Sequence, residues 1–186
     1  MTGMHALWIP IVLSAVIVFV VSSIIHMMSP WHKGDYPQLP NQDAIMDALR
    51  PFALAPGDYM LPRPNDMADM KSDAFKEKVN RGPKLIMTVM QPGMTGMGKN
   101  LAGWFVYLLV VGVFAAYVAG RALPTSADYL HVYRFVGVTS FLAYAGALWQ
   151  ASIWYSKPVS TTVKSTIDGL IYALLTAGTF GWLWPR

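Results

Sequence analysis

The chain contains no cysteine, so structural disulfides, thiolate metal sites and cysteine nucleophiles are excluded. Charge is also scarce: Asp, Glu, Lys and Arg make up 13% of the 186 residues, against about 25% in a typical soluble domain. Eight of the ten acidic residues fall between Asp35 and Glu77, leaving only Asp128 and Asp168 elsewhere. No basic run or basic stripe with interleaved aromatics accompanies the net charge of +4, so nucleic acid is not an expected partner. Signatures of common chemistry are missing too. There is no Walker loop, no G-x-S-x-G and no H-E-x-x-H, and Gly93-Met94-Thr95-Gly96-Met97-Gly98 has the wrong glycine spacing for a dinucleotide fingerprint.

What fills the chain instead is apolar sequence. Crossing a hydrocarbon core takes about 20 apolar residues, and four stretches reach that length: Leu7 to Met28, Leu101 to Gly120, Tyr129 to Tyr155 and Thr166 to Trp184. The residues before the first stretch carry no Lys or Arg and no A-x-A site follows it, so it reads as a retained anchor rather than a cleaved leader. Trp8, Trp31, Trp104, Trp154, Trp182 and Trp184 sit near the ends of the stretches, where amphipathic rings settle at a membrane interface. The expected class is an all-α membrane protein of four transmembrane helices, with a small α+β soluble insertion after the first. Its expected parts are an anchor at 1–28, an insertion at 29–100 and a three-helix unit at 101–186. Lys33, Arg81, Lys84, Lys99, Lys157 and Lys164 outweigh Arg121, Arg134 and Arg186. That balance places the insertion in the cytoplasm and the N-terminus outside.

Within the insertion, short helices are expected over Gln42 to Arg50 and Asp73 to Arg81, the second capped by Ser72 and ended by Gly82 and Pro83. Lys84 to Met90 reads as a strand that pairs with Tyr59 to Leu61. So small a unit has little core of its own, and it is expected to lie against the membrane or a partner.

Helices in lipid approach closely through small residues at spacing four. Gly112, Ala116 and Gly120 form such a stripe on the second span, Thr139, Ala143, Ala147 and Ala151 on the third, and Ser165, Gly169, Ala173, Ala177 and Gly181 on the fourth. The first span has only scattered small residues. A tight bundle of spans two to four with a peripheral first span follows.

Ionisable residues within spans are functional candidates. Asp168 has a structural alternative, because Ser165-Thr166-Ile167-Asp168 fits a capping box with Lys164 four residues away. Asp128, His131 and Arg134 recur at spacing three, as a polar pocket for a quinone head or an anion, or as a capped and anchored helix end. His26, His32 and Asp35 lie close in sequence but match no recognised ligand spacing. Haem between His26 and His131 is disfavoured because about 30 Å of hydrocarbon separates their levels. Met87, Met90, Met94 and Met97 are soft ligands suited to Cu(I), and equally adaptable filler. No catalytic residue, metal or cofactor is assigned on this basis.

Pro30-Trp31-His32-Lys33-Gly34-Asp35-Tyr36, Leu39-Pro40-Asn41-Gln42-Asp43 and the terminal Gly178-Thr179-Phe180-Gly181-Trp182-Leu183-Trp184-Pro185-Arg186 resemble a group of four-span bacterial inner-membrane proteins. The resemblance implies that location and architecture, with no activity and no functional residues. The leading expectation is a non-catalytic accessory or assembly subunit of a bacterial membrane complex, a respiratory one included, whose partners are the bilayer and other membrane subunits. The alternatives are a small transporter or channel using Asp168 or the Asp128, His131 and Arg134 group, and a quinone- or metal-linked redox protein.

Overall fold

The computed structural model describes residues 2–93 and 96–185. The chain is mostly helical, with one two-stranded sheet, and divides into two compact units. The larger comprises residues 2–37 and 96–185, the smaller residues 38–93.

The larger unit is built on α1 (Trp8–Ser23), α5 (Met97–Ala122), α6 (Tyr129–Ala145), α7 (Leu148–Tyr155) and α8 (Val159–Trp182). Three stretches are long and apolar enough to cross a membrane: Trp8–Met28, Met97–Ala122 and Tyr129–Tyr155. The remaining long helix, α8, has 24 residues but carries Thr161, Thr162, Lys164, Ser165, Thr166 and Asp168 in its first half. Its start at Val159 lies about two turns before the expected Thr166, with Pro158 as the non-helical residue that precedes it. Neighbours pair around a ring in the order α1, α5, α6, α8 and back to α1. Thr2 N–H donates to Gly120 O at 2.8 Å, and Trp184 Nε1–H donates to Pro124 O at 3.0 Å. These bonds set the start of α1, the end of α5 and the end of α8 at one level, so successive helices run antiparallel.

The first long helix, α1, is therefore not peripheral, contrary to the sequence expectation. Ile11, Ala15, Val18 and Ser22 are buried at spacings of three and four, which place them on one helical face. That face meets α5, where a Cβ on Gly112 would lie 3.3 Å from Ile11 Cγ2. Of the expected packing residues, Gly112, Ala116, Gly120, Gly169, Ala173 and Ala177 are buried and Gly181 is half-buried. Ala143 and Ala147 are exposed, which corrects the third stripe. The buried face of α6 is Val132, Val136 and Ser140, one position and so about 100° away from the Thr139 stripe. The helix also breaks at Gly146 and Ala147 before α7 begins. A core of Leu7, Ile11, Ala115, Ala119, Val132, Val136, Ala177 and Phe180 closes one end of the ring. Ala15, Val18, Leu108 and Tyr172 form a second core.

The smaller unit holds α2 (Gln42–Leu49), α3 (Met67–Lys71), α4 (Asp73–Arg81), β1 (Gly57–Leu61) and β2 (Leu85–Val89). The strands pair antiparallel with Tyr59 opposite Met87. Ser72 caps α4 by accepting the Phe75 N–H, and Gly82 ends it at φ 62°. The short helix α3, capped by Asp66, was not foreseen. No described residue of this unit is buried.

Gly169 is the tightest helix crossing beside the second core: a Cβ there would sit 3.0 Å from Ala145 Cβ and 3.3 Å from Tyr144 Cβ. Gly169→Val is expected to destabilise the bundle by about 1–3 kcal/mol through overpacking. Gly178→Ala, whose Cβ meets only Tyr129 Oη at 3.7 Å, leaves thermal unfolding in detergent near the parent value.

Candidate functional site

The end of the ring opposite the N-terminus gathers most of its buried charge. Directly after α1, Ile24–Met28 is a π-helical turn closed by Ser29 N–H donating to Ile24 O at 3.0 Å. π turns re-aim side chains and recur at functional sites, and this one carries His26. After it the chain folds back, and Pro30 O accepts from Lys33 N–H at 3.1 Å while His32 O accepts from Asp35 N–H at 3.0 Å. Those tight turns bring Trp31, His32 and Asp35 against α8.

His32 lies between two carboxylates. Its Nδ1 is 2.6 Å from Asp35 Oδ2 and its Nε2 is 2.7 Å from Asp168 Oδ2. Only an imidazolium donates from both ring nitrogens, so two ionised carboxylates call for that form. Asp35 also accepts from Lys164 Nζ at 2.7 Å, and Asp168 Oδ1 accepts from Trp31 Nε1–H at 3.2 Å. The charges of Lys164 and His32 then balance those of Asp35 and Asp168. Lys164, and after it His32, hold the Asp35 carboxyl below its ordinary value through these hydrogen bonds. The His26 ring stacks on His32 with centroids 4.4 Å apart, and its Nε2 lies within hydrogen-bond distance of Tyr172 Oη at 3.2 Å.

Asp168 is therefore not the cap of its helix. With α8 beginning at Val159, it sits in the helix interior, 3% exposed. Its expected partner four residues away, Lys164, turns to Asp35 instead. His26 and His32 come together as their sequence proximity suggested, and Asp168 joins them from 136 residues away. Sequence reading missed Tyr172 and the role of Trp31, which had been placed only as an interfacial aromatic. The one usable signal for Tyr172 was its spacing of four from Asp168, which puts both on one face of α8.

Beside the network opens a cavity of about 700 Å³, with Lys99, Asn100, His26 and Asp168 on its polar side. Its apolar wall is a closed circuit of rings: Trp104–Tyr107 at 5.5 Å, Tyr107–Tyr144 at 6.1 Å, Tyr144–Tyr172 at 5.8 Å and Tyr172–Trp104 at 6.1 Å between centroids. Trp104 is fixed by donating from Nε1 to Ser22 Oγ at 2.9 Å, and Tyr107 by donating to Ala143 O at 2.7 Å.

The second group of candidates lies at the other end and stays apart. Asp128 is the N-cap of α6 and accepts from Leu130 N–H and His131 N–H. This is the capped helix end that the sequence offered as the alternative to a pocket. Its side chain also bonds His131, and that bond holds the Asp128 carboxyl below its ordinary value. Both side chains are exposed, and Arg134 makes no ion pair among the described residues. Asp128 also edges a separate cavity of about 510 Å³ with Tyr129, Trp182 and Trp184, which neither His131 nor Arg134 lines. Of the methionine series, Met87 and Met90 belong to the smaller unit and Met97 to the larger, while Met94 lies outside the described residues.

No protein-family model matches the chain, and no curated protein or solved structure matches it.

The network makes a stability prediction. His32→Ala strands Asp168 as a buried carboxylate with one neutral donor, at a cost on the order of 3 kcal/mol. The double variant His32→Ala, Asp168→Ala recovers part of that loss. Equal melting temperatures for the single and double variants would remove the coupling.

Proposed function

We propose that the chain is an integral membrane protein of four spans, α8 being the fourth, and that it binds a planar, lipid-soluble molecule of the quinone class in the aromatic cleft. The observation that carries this reading is the burial of Asp168 inside a long helix at the polar edge of that cleft, since a carboxylate within a span is retained against a high cost. The ring order, the antiparallel run of four long helices and the three apolar stretches support the spanning arrangement. The basic residues favour an orientation with the insertion on the inner side of the membrane.

The lining selects the ligand class. A cavity of about 700 Å³ is of the size that holds small molecules. Four aromatic side chains offer stacking to a flat ring. Tyr172, His26 and Asn100 supply hydrogen-bonding groups for carbonyl oxygens. Lys99 and Asp168 both line the cleft, so neither a cation nor an anion is favoured over a neutral molecule. The test is titration of the purified protein in nanodiscs with a short-tailed benzoquinone, read as quenching of tryptophan fluorescence. Saturable quenching, weakened about tenfold in Tyr172→Phe by loss of one hydrogen bond, is expected. Linear, unsaturated quenching would overturn the assignment.

A second reading, the accessory or assembly subunit, is favoured by a different observation. The smaller unit buries none of its described residues, and Phe52, Met67 and Met90 are 71%, 63% and 80% exposed. Apolar surface of this kind marks a contact site. Co-migration with other membrane proteins after mild detergent extraction, seen by native mass spectrometry, is expected on this reading. A bare monomer from the native membrane would count against it.

A further inference from the structure

We propose that His26, His32 and Asp168 form a binding site for a first-row divalent transition metal at the polar end of the cleft, with Asp35 as the residue that orients His32. One ring nitrogen of each histidine and one carboxylate oxygen of Asp168 lie within 4.8 Å of one another. Ligand atoms about 2.1 Å from a tetrahedral ion stand about 3.4 Å apart. His32 Nε2 and Asp168 Oδ2, now 2.7 Å apart, open slightly to that spacing. His26, on an exposed π turn, closes in by a side-chain rotation.

The surroundings are what a metal-bound histidine needs. A ligating imidazole donates its second N–H to a carboxylate, which fixes its tautomer and orientation. Asp35 occupies that position on His32 Nδ1 at 2.6 Å, and Lys164 anchors Asp35 from the far side at 2.7 Å. Two imidazoles and one carboxylate suit zinc or iron(II), whereas magnesium and calcium take all-oxygen shells. Three protein ligands leave a position open. His26 and Asp168 line the cavity, so that position faces it. The exposed Asp128–His131 pair has a single histidine and a single carboxylate, and serves as the internal control.

The inference extends the cleft reading by naming what its polar end holds, and the two fail separately. Protein purified through a tag without histidines is assayed for bound metal by elemental mass spectrometry. It is then stripped and titrated with Co²⁺ while visible absorption is followed. The expected result is one metal per chain and a saturable d–d band. The band is lost in His32→Ala and Asp168→Asn, weakened about 10- to 100-fold in affinity by Asp35→Asn, and unchanged in His131→Ala. Absence of both bound metal and a Co²⁺ band in the wild-type protein overturns the site, as does an unchanged affinity in Asp35→Asn, a variant that keeps the size of the side chain. A quinone titration that saturates without any metal leaves the cleft standing and removes the centre. A Co²⁺ band without quinone binding does the reverse.

Discussion

A histidine held between two carboxylates fixes the end of this bundle. His32 touches Asp35 in its own turn and Asp168 on α8, and so ties the chain leaving the first span to the last long helix. Without the imidazole Asp35 would keep only Lys164, and Asp168 would be left as a buried carboxylate with no charged partner. Without the carboxylates the segment after Met28 would have no polar reason to return to α8. Lys164 completes the charge balance, and Trp31 covers the corner while donating to Asp168. The result is a closed polar end on an otherwise apolar ring of helices.

The packing below depends on where that end is held. α1 lies between α5 and α8, and its buried face of Ile11, Ala15, Val18 and Ser22 continues directly into the turn that carries His26. Ser22 accepts from Trp104, and His26 is hydrogen-bonded to Tyr172. The aromatic wall is thereby anchored to α1 at two successive turns. The cleft is a product of this arrangement: the rings come from α5, α6 and α8, but α1 supplies the bonds that set two of them.

Local signals in the sequence located most elements. The long apolar stretches appear as helices, the fourth starting well before its expected limit and the third broken at Gly146 and Ala147, and Ser72, Gly82 and the alternating run after Lys84 mark their helix and strand in the insertion. What local signals did not carry was which face of each helix turns inward. The Thr139, Ala143, Ala147 stripe is as regular as the true one, and only the partner surface on α8 decides between them. The first span looked peripheral because its buried face mixes branched and small residues rather than repeating glycine or alanine. The site was half legible. His26, His32 and Asp35 are neighbours in sequence, but Asp168 is brought to them only by folding. Its capping signature was locally sound, and was overridden because α8 starts at Val159 and carries the carboxylate into its interior. Lys164 looked like its i, i+4 partner until a second carboxylate, from a distant turn, took the ammonium.

The π turn at Ile24–Met28 makes the phase of this site depend on a residue count. A π turn absorbs one residue more than an α turn would, so it rotates everything after it by about 100° relative to the helix before it. Upstream, the count points Ala15, Val18 and Ser22 into the bundle. Downstream, it aims His26 at Tyr172 and His32. Chain length here is a coordinate of the site: deleting Ile24 or Ile25 would keep every side chain of the polar network in the sequence, yet turn His26 out of line with its partners.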